Sequence, residues 1–313
     1  MNASHKAVGI DIGGTKIAVA AVDSRGTRVA RATLATEADQ GFPRALERLS
    51  TAISDVLRTA CWAPADLAGI GIGCAGPVDP RRGLINNPYT LTGWERCDIV
   101  TPLRERFGCP IFLENDADAA AVGECVFGAG RGVDPVDLLT FGTGIGGAAI
   151  VRGEIYRGVN GEHPEIGHLP IASDGPQCYC GTRGCLESLA SGTAIGEVGQ
   201  AAGLADTPAV FLAAQGDDPH AREIVARAVD AAATAAWTLC HTFLPQRIIL
   251  GGGIMENHFH LFARALRDRL AAATQFTRGA VSVEPAALGN DAGLVGAACL
   301  AFNEANRPPA RTP

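Results

Sequence analysis

The sequence lacks the basic charge that a nucleic-acid-binding protein needs. It contains 33 acidic and 26 basic residues among 313, which gives a net charge of −7 and an isoelectric point near 5.5. A protein that binds nucleic acid needs a basic face to contact the phosphates. We therefore exclude nucleic acid as a main partner.

Segments that would direct the chain to a membrane are also lacking. The first residues, MNASHKAVGIDIGG, contain no basic stretch followed by a long apolar one, as a signal peptide would. The longest apolar run, at 228–244, includes Asp230 and His241 and is shorter than the about 20 residues that cross a bilayer. We read this run as a buried helix, and we expect a cytoplasmic protein with no membrane partner.

Paired cysteine spacings are missing from most of the chain, and with no export signal we expect reduced thiols. The exception is EIGHLPIASDGPQCYCGTRGCLES (165–188), which brings one histidine and three cysteines together. Zn²⁺ prefers a tetrahedron of thiolate and imidazole ligands, and four protein ligands make a closed, structural site. The alternative is three buried thiols and a surface histidine. The zinc interpretation predicts as ligands His168, Cys178, Cys180 and Cys185.

Two segments, KAVGIDIGGTKIAVAAVD (6–23) and VDLLTFGTGIGGAAIVRG (136–153), resemble each other. Each reads as a strand, a glycine turn and a second strand, and each is followed by alternating strands and helices. This pattern predicts an α/β protein with two similar domains around a cleft. We expect one domain at 1–116 plus a C-terminal helix near 292–306, a second with the zinc site at 117–291, and a disordered tail at 307–313.

Hydrophobic periodicity predicts further elements between and after these hairpins. The predicted helices are 42–60, 117–130, 221–243, 258–273 and 292–305. The predicted strands are 67–74, 109–116, 247–254 and 280–284.

The glycine turns are candidate phosphate cradles, because glycine lets backbone amides approach an anion closely. Asp11–Lys16 is not a Walker loop, which would open a helix. The run 142–147 matches G-x-G-x-x-G, but a strand and not a helix follows it, so we reject a dinucleotide-binding fold. Tight turns with no ligand are the alternative. Two such turns and the glycine-ended strand at 251–253 favour a nucleotide cradle.

Acidic and amide side chains form the end of the strand predicted at 109–116. Asp116 is placed to act as a general base toward a hydroxyl, with Asn115 as its neighbour. A helix N-cap is the alternative for either residue. Glu165, His168 and Glu187 add polar groups that the zinc site would fix in space. Such a set suits a polyhydroxylated ligand.

These motifs together resemble the ROK family of sugar kinases, which have the actin-like ATPase (ribonuclease H-like) fold. The likeness covers nearly the whole chain. It rests on DIGGTK (11–16), AGPVD (75–79), END (114–116), FGTGIGG (141–147), EIGH (165–168), CYCGTRGCLE (178–187) and LGGGI (250–254).

The resemblance implies an enzyme that transfers the γ-phosphate of ATP, with Mg²⁺, to a sugar hydroxyl. It implies Asp116 as the catalytic base and structural Zn²⁺ on the four ligands above. The implied sugar-binding residues are Gly76, Asn86, Asn87, Asn115, Asp116, Glu165, His168 and Glu187. The implied ATP-binding residues are Asp11, Gly13, Gly14, Thr15, Lys16, Gly142, Thr143, Gly144, Gly146, Gly252 and Gly253.

The identity of the sugar is left open by one departure from the family pattern. His163 and Pro164 precede Glu165, where many members have Ala-Gly, and this version looks like the fructokinase branch. The Cys-x-Cys cluster looks more like the glucokinase and N-acetylhexosamine kinase branches. We expect glucose, phosphorylated at the 6-hydroxyl; N-acetylmannosamine, N-acetylglucosamine and fructose are the alternatives, and a non-enzymatic sugar-sensing module is the remote one. We expect a homodimer or homotetramer.

Overall fold

The computed structural model describes residues 6–273 and 281–306. Its longer strands form two sheets, and three two-residue strands form a third. The strands are β1 (Lys6–Ile12), β2 (Lys16–Asp23), β3 (Arg28–Ala35), β4 (Gly69–Cys74), β5 (Val78–Asp79), β6 (Leu84–Ile85), β7 (Cys97–Asp98), β8 (Ile111–Asn115), β9 (Val136–Phe141), β10 (Ile145–Val151), β11 (Glu154–Ile155), β12 (Arg247–Gly251) and β13 (Ser282–Pro285).

The observed helix bounds agree best with the predicted ones where a helix has a long apolar stripe. The helix predicted at 42–60 has those bounds, and the helix predicted at 258–273 begins five residues earlier, after Gly252. The helices are α1 (Phe42–Ala60), α2 (Val100–Phe107), α3 (Asp116–Phe127), α4 (Leu186–Ala190), α5 (Gly192–Ala201), α6 (Thr207–Gln215), α7 (Pro219–Thr242), α8 (Gly253–Leu270) and α9 (Ala292–Asn306).

The two large sheets have the same topology. The first has the order β3-β2-β1-β4-β8, and the second has the order β11-β10-β9-β12-β13. In each, the first three strands are antiparallel and the last two run parallel to the central one. The predicted duplication of the hairpin and the α/β class are therefore confirmed. A strand, and not a helix, follows each glycine turn. This agrees with the prediction that neither turn is a Walker loop or a dinucleotide-binding motif, because both of those motifs open a helix.

The chain divides into two compact units. The first comprises 1–131, 159–162 and 291–313, and the second comprises 132–158 and 163–290. The sequence placed the boundary after Asp116, whereas the structure assigns α3 to the first unit. The reason is packing: α3 and α9 have small residues where they meet, so that Gly296 lies against the backbone of Ala119 and Gly123. The predicted disordered tail at 307–313 lies outside the described residues.

The core of the second unit explains the longest apolar run. Along α7 most of the alanines and larger apolar residues from Ala221 to Cys240 are buried, and they pack with α8 and with one face of β9 and β12. The run is thus a buried helix, as expected. Among residues 6–273 and 281–306, no helix has the length and apolar character needed to cross a membrane.

Several short elements had no counterpart in the sequence prediction. These are α2, α4, α5, α6 and the small sheet of β5, β6 and β7. The strands of the small sheet have two residues each, and α4 has five, so hydrophobic periodicity has too few residues to detect them.

Candidate functional site

The first glycine turn connects β1 to β2. The amide of Gly13 donates to the carbonyl of Lys16 at 3.0 Å, and Thr36 fixes the turn from β3's end by donating its hydroxyl to the carbonyl of Gly13 at 2.6 Å. The side chains of Thr15 and Lys16 are exposed, as is Gly14. The turn therefore presents backbone amides, a hydroxyl and an ammonium group, the donors that a polyphosphate accepts.

Two carboxylates lie where parallel strands of the first sheet end. The register pairs Ile12 with Cys74 and Cys74 with Asn115, so Asp11 and Asp116 come to the same edge. Burial, and then the charge of Asp116, raise the pKa of Asp11 to about 6. Two acidic groups at one strand edge form a site suited to a cation or a transferable proton.

Asn115 and Asp116 join β8 to α3. The Oδ1 of Asn115 accepts from the amides of Ala117 at 2.9 Å and Asp118 at 3.3 Å, so Asn115 is the N-cap of α3. Asp116 is the first helical residue, and its Oδ1 accepts from the amide of Ala117 at 2.8 Å. The capping alternative thus holds for Asn115, and this cap fixes the backbone where Asp116 begins α3.

Three predicted sugar-binding residues lie in loops after β4: Gly76 precedes β5, and Asn86 and Asn87 follow β6. Asn87 is buried, its amide donates to the carbonyl of Ala75 at 3.1 Å and to the hydroxyl of Thr90 at 2.8 Å, and its Oδ1 accepts from two amides of the next turn. The Oδ1 of Asn86 accepts from a backbone amide of the same loop at 3.1 Å. Both side chains shape the loop, and contact with a sugar stays a prediction.

The second glycine turn lies in the second unit and connects β9 to β10. The amide of Gly142 donates to the carbonyl of Gly144 at 2.9 Å, and the start of α5 fixes the turn from outside. There the amide of Gly192 donates to the carbonyl of Gly142 at 2.8 Å, and the hydroxyl of Thr193 donates to the carbonyl of Thr143 at 2.9 Å.

The glycines after β12 open a helix. Gly252 is the N-cap of α8 and has a φ of 87°, a conformation that favours glycine. A side chain there would also collide with the backbone of Phe141 at the end of β9. The sequence predicted the strand to run on to residue 254, whereas β12 ends at Gly251, and Gly253 is already helical. The amides at this helix start are suited to an anion.

The histidine and three cysteines of the predicted zinc site come together. Their four ligand atoms all lie within 4.8 Å of one another. The Sγ of Cys178 lies 3.5 Å from Nδ1 of His168, and the Sγ atoms of Cys180 and Cys185 are 3.4 Å apart. A tetrahedral Zn²⁺ with Zn–S bonds of about 2.3 Å and Zn–N bonds of about 2.0 Å would separate its ligands by about 3.5 to 3.8 Å. The residues therefore fit a closed zinc site, which we call the His-Cys cluster.

The cluster lies between two predicted sugar-binding carboxylates. Glu165 precedes a short 3-10 helix, Ile166–His168, and its Oε1 lies 3.5 Å from Nε2 of His163. Gly147 and Gly167 let that helix pack closely on β10. Glu187 lies in the first turn of α4, directly after the last cysteine ligand. Its Oε2 accepts from the amide of Ile145, the first residue of β10, at 2.8 Å.

Three residues that contact the site were not predicted from the sequence. Thr36 supports the first glycine turn from 23 positions beyond Gly13, and Thr193 supports the second from 50 positions beyond Thr143. No local pattern marks either. Tyr179 stands between two cysteine ligands, and its ring contacts that of His168 with centroids 5.0 Å apart. The sequence offered one indication of this contact, an aromatic residue between two predicted cysteine ligands.

Two units with identical sheet order, a glycine turn in each hairpin and acidic strand ends in the first unit define the actin-like ATPase class. The model of the ROK family matches residues 7–304. The chain belongs to the ROK family.

Relatives and solved structures agree with this assignment. A glucokinase of Thermotoga maritima is 35% identical over 94% of this chain and 96% of its own length. An N-acetylmannosamine kinase of Vibrio cholerae is 32% identical over 94% of this chain and 98% of its own.

Among solved structures, a ROK hexokinase from Thermus thermophilus has a TM-score of 0.85 and 36% identity, covering 96% of this chain and 98% of that one. A ROK family glucokinase from Streptomyces griseus, solved with glucose and AMPPNP, has a TM-score of 0.75 and 30% identity, covering 95% and 99%. The predicted fold and family are therefore confirmed.

Proposed function

We propose that this chain is an ATP-dependent glucokinase that transfers the γ-phosphate of ATP to the 6-hydroxyl of glucose. The observation that carries the proposal is the pair of carboxylates, Asp11 and Asp116, at one edge of the first sheet beside a glycine turn. Glucokinase relatives at 30–35% identity and hexokinase and glucokinase structures of the same fold support it.

Asp116 acts as the general base. Its carboxylate accepts the proton of the attacking hydroxyl as the oxygen forms a bond to the γ-phosphorus and the bond to the β-phosphate breaks, which releases ADP. The Asn115 cap orients the residue at the start of α3. A carboxylate at this position suits the role, because β8 and the cap fix its backbone.

The glycine turns bind the nucleotide phosphates. Gly13, Gly14, Thr15 and Lys16 contribute amides, a hydroxyl and an ammonium group. Further amides come from Gly142, Thr143, Gly144, Gly146, Gly252 and Gly253. Asp11 helps to hold Mg²⁺, through water or directly, because a half-buried carboxylate beside a second acid favours a cation. Bound Mg²⁺ would neutralise charge on the transferring phosphate.

Glu165, His168 and Glu187 bind the sugar hydroxyls, and the His-Cys cluster holds them in place through structural Zn²⁺. The Nδ1 of His168 faces the Sγ of Cys178, so Nδ1 is the zinc-binding nitrogen and Nε2 serves the sugar. Four protein ligands leave no open coordination position, so Zn²⁺ takes no part in the chemistry. Gly76, Asn86 and Asn87 are further sugar-binding residues of this proposal.

A second candidate, an N-acetylmannosamine kinase, is favoured by the Vibrio cholerae relative. A coupled kinase assay under one set of conditions separates the candidates. It compares kcat/KM for glucose, mannose, fructose, N-acetylglucosamine and N-acetylmannosamine. If an N-acetylated sugar is preferred by about tenfold, or about 1.4 kcal/mol of transition-state binding, the glucose assignment is wrong. Absence of phosphoryl transfer to every sugar would overturn the kinase proposal.

A cytoplasmic location and a homodimer or homotetramer complete the proposal. The use of ATP and a thiolate zinc site both suit a reducing compartment. Size-exclusion chromatography with light scattering tests the oligomeric state, and a monomeric mass would contradict it.

A further inference from the structure

The tip of the first glycine turn contacts a second loop of the same unit. A side chain at Gly14 would place its β-carbon 3.0 Å from the β-carbon of Thr90 and 3.2 Å from the carbonyl oxygen of Thr90. The φ of Gly14 lies outside the left-handed region, so this close approach, and not backbone strain, accounts for the glycine. Thr36 holds the neighbouring residues by donating to the carbonyls of Gly13 and Thr15. Thr90 therefore contacts the turn at the residue between them.

The position of Thr90 is fixed by the buried side chain of Asn87. The Nδ2 of Asn87 donates to the hydroxyl of Thr90 at 2.8 Å and to the carbonyl of Ala75 at 3.1 Å. Its Oδ1 accepts from the amides of Tyr89 at 2.8 Å and Thr90 at 2.9 Å. A side-chain amide has two donor hydrogens and two acceptor lone pairs, so these bonds use its full capacity. Asn87 therefore acts on a ligand through the loop that it folds and not by direct contact.

We propose that Asn87 and Thr90 are positioning residues for nucleotide binding: Asn87 holds Thr90, and Thr90 fixes Gly14, so that the donors of the first glycine turn keep the orientation that a phosphate requires. This inference rests on the proposed function, because it requires the first glycine turn to bind ATP. It goes beyond that function because the loop assigned to the sugar then also orders the turn assigned to the phosphates.

The energetic reason is the backbone freedom of the turn. Gly14 follows another glycine and is exposed, and glycine has more conformational freedom to lose than any other residue. A contact that restricts Gly14 before the nucleotide binds lowers the cost of ordering the turn, so the nucleotide binds more tightly. Because Thr90 is itself exposed, it can be replaced without opening a cavity in the core.

The test is Thr90→Ala, which keeps the β-carbon beside Gly14 and removes the hydroxyl that Asn87 holds. With AMPPNP and Mg²⁺ as the probe and no sugar present, we expect the Kd from calorimetry to rise about fivefold, the scale of one neutral hydrogen bond. Thr90→Ser keeps both groups and should restore the Kd to within about twofold of the wild type. Thr92→Ala, at an exposed threonine of the same loop, is the matched control and should leave the Kd unchanged.

Binding of D-glucose separates a positioning role from a loosened loop. In Thr90→Ala the bonds of Asn87 to Ala75 and to the two backbone amides remain, so the glucose Kd should change by less than about twofold. Equal weakening of both ligands would mean that the whole loop has loosened, and weakening of glucose alone would place Thr90 in the sugar site. Either result, or unchanged nucleotide binding, overturns the inference.

A double-mutant cycle shows whether Thr90 acts together with Asn87. In an Asn87→Ala background, Thr90→Ala should change the AMPPNP Kd by less than about twofold, because the bond between the two side chains is already lost. A full effect in that background overturns the role given to Asn87. If the wild type itself binds no AMPPNP, the assignment of the glycine turn to the nucleotide fails first, which is a different result from failure of Thr90 alone.

Discussion

The first strands of the two hairpins, β1 and β9, occupy the same place in sheets of the same order. Their aspartates differ in position along the strand. The parallel register pairs Asp11 with Gly73 and Thr140 with Gly251, which makes Asp11 and Thr140 equivalent. By the same register Val8 in β1 corresponds to Asp137 in β9. The first unit thus has its acid at the strand end, and the second has an acid within its core.

The two glycine turns differ in how they are supported. The first contains one more residue between its paired strand ends, and that extra position allows the exposed Lys16 to start β2. Its support comes from Thr36, at the end of the neighbouring strand. The second turn depends on Gly192, Thr193 and Glu187, which follow the His-Cys cluster. Under the proposed function, the same scaffold carries the general base in one unit and metal-supported sugar binding in the other.

The largest expected effect is the loss of turnover when the proposed general base in the first unit is replaced. Asp116→Asn keeps the shape of the side chain and removes its basicity, so turnover should fall at least about a hundredfold, as for loss of a general base. The binding of sugar should be largely retained, as measured by calorimetry. Asp55→Asn, on the exposed face of α1, is the control. Near-normal turnover of the Asp116 variant would mean that another group accepts the proton.

The next largest effect is expected when the His-Cys cluster, which supports the proposed sugar-binding residues of the second unit, loses a ligand. Cys180→Ser removes one of four zinc ligands, and we expect metal and at least about tenfold of the activity to be lost together. Purified wild-type protein should carry about one zinc per chain, measured by mass spectrometry of the metal. Cys61→Ser, at an exposed cysteine outside the cluster, is the control. A metal-free variant with full activity would contradict the structural role.

The parts of the site that are contiguous in sequence were predictable, and the parts assembled by tertiary contacts were not. The His-Cys cluster lies within 18 residues, and END is a strand end followed by a helix cap, so both follow from local chemistry. The Thr36 and Thr193 hydroxyls reach the glycine turns only after the sheets form. The place of α3 in the first unit depends likewise on its packing with α9. Both observations are properties of the folded chain, which local patterns do not encode.

A smaller effect concerns the pH dependence that Asp11 confers. Burial, and then Asp116, raise the pKa of Asp11 to about 6, so the carboxylate needed to hold Mg²⁺ is protonated at lower pH. We expect kcat/KM to fall toward about tenfold per pH unit below that value. Because Mg²⁺ competes with the proton, raising Mg²⁺ should move this limb to lower pH. A limb that does not respond to Mg²⁺ would assign the titration to another group.

The smallest expected effect on activity, and a clear one on stability, comes from Asp137. This carboxyl is fully buried, and neither of its oxygens has a hydrogen-bond partner within the part of the chain that the structure describes. Burial raises its pKa from 3.8 to about 8. The folded state therefore keeps a proton that the unfolded chain releases above about pH 4, so stability falls as pH rises from about 4 to about 8 and is level above that range.

Two substitutions test this pH-dependent loss of stability, and one of them gives β9 the residue type found in β1. Asp137→Asn removes the titration, and Asp137→Val places in β9 the residue type that Val8 provides in β1. Both variants should gain stability over the wild type as pH rises from 5 to 8, by a few kcal/mol at most, in denaturant titrations. Their kcat should be unchanged, because Asp137 lies within the core and not at the strand end. If the difference from wild type is the same at both pH values, Asp137 does not titrate in this range, and the acid within β9 has no pH-dependent cost.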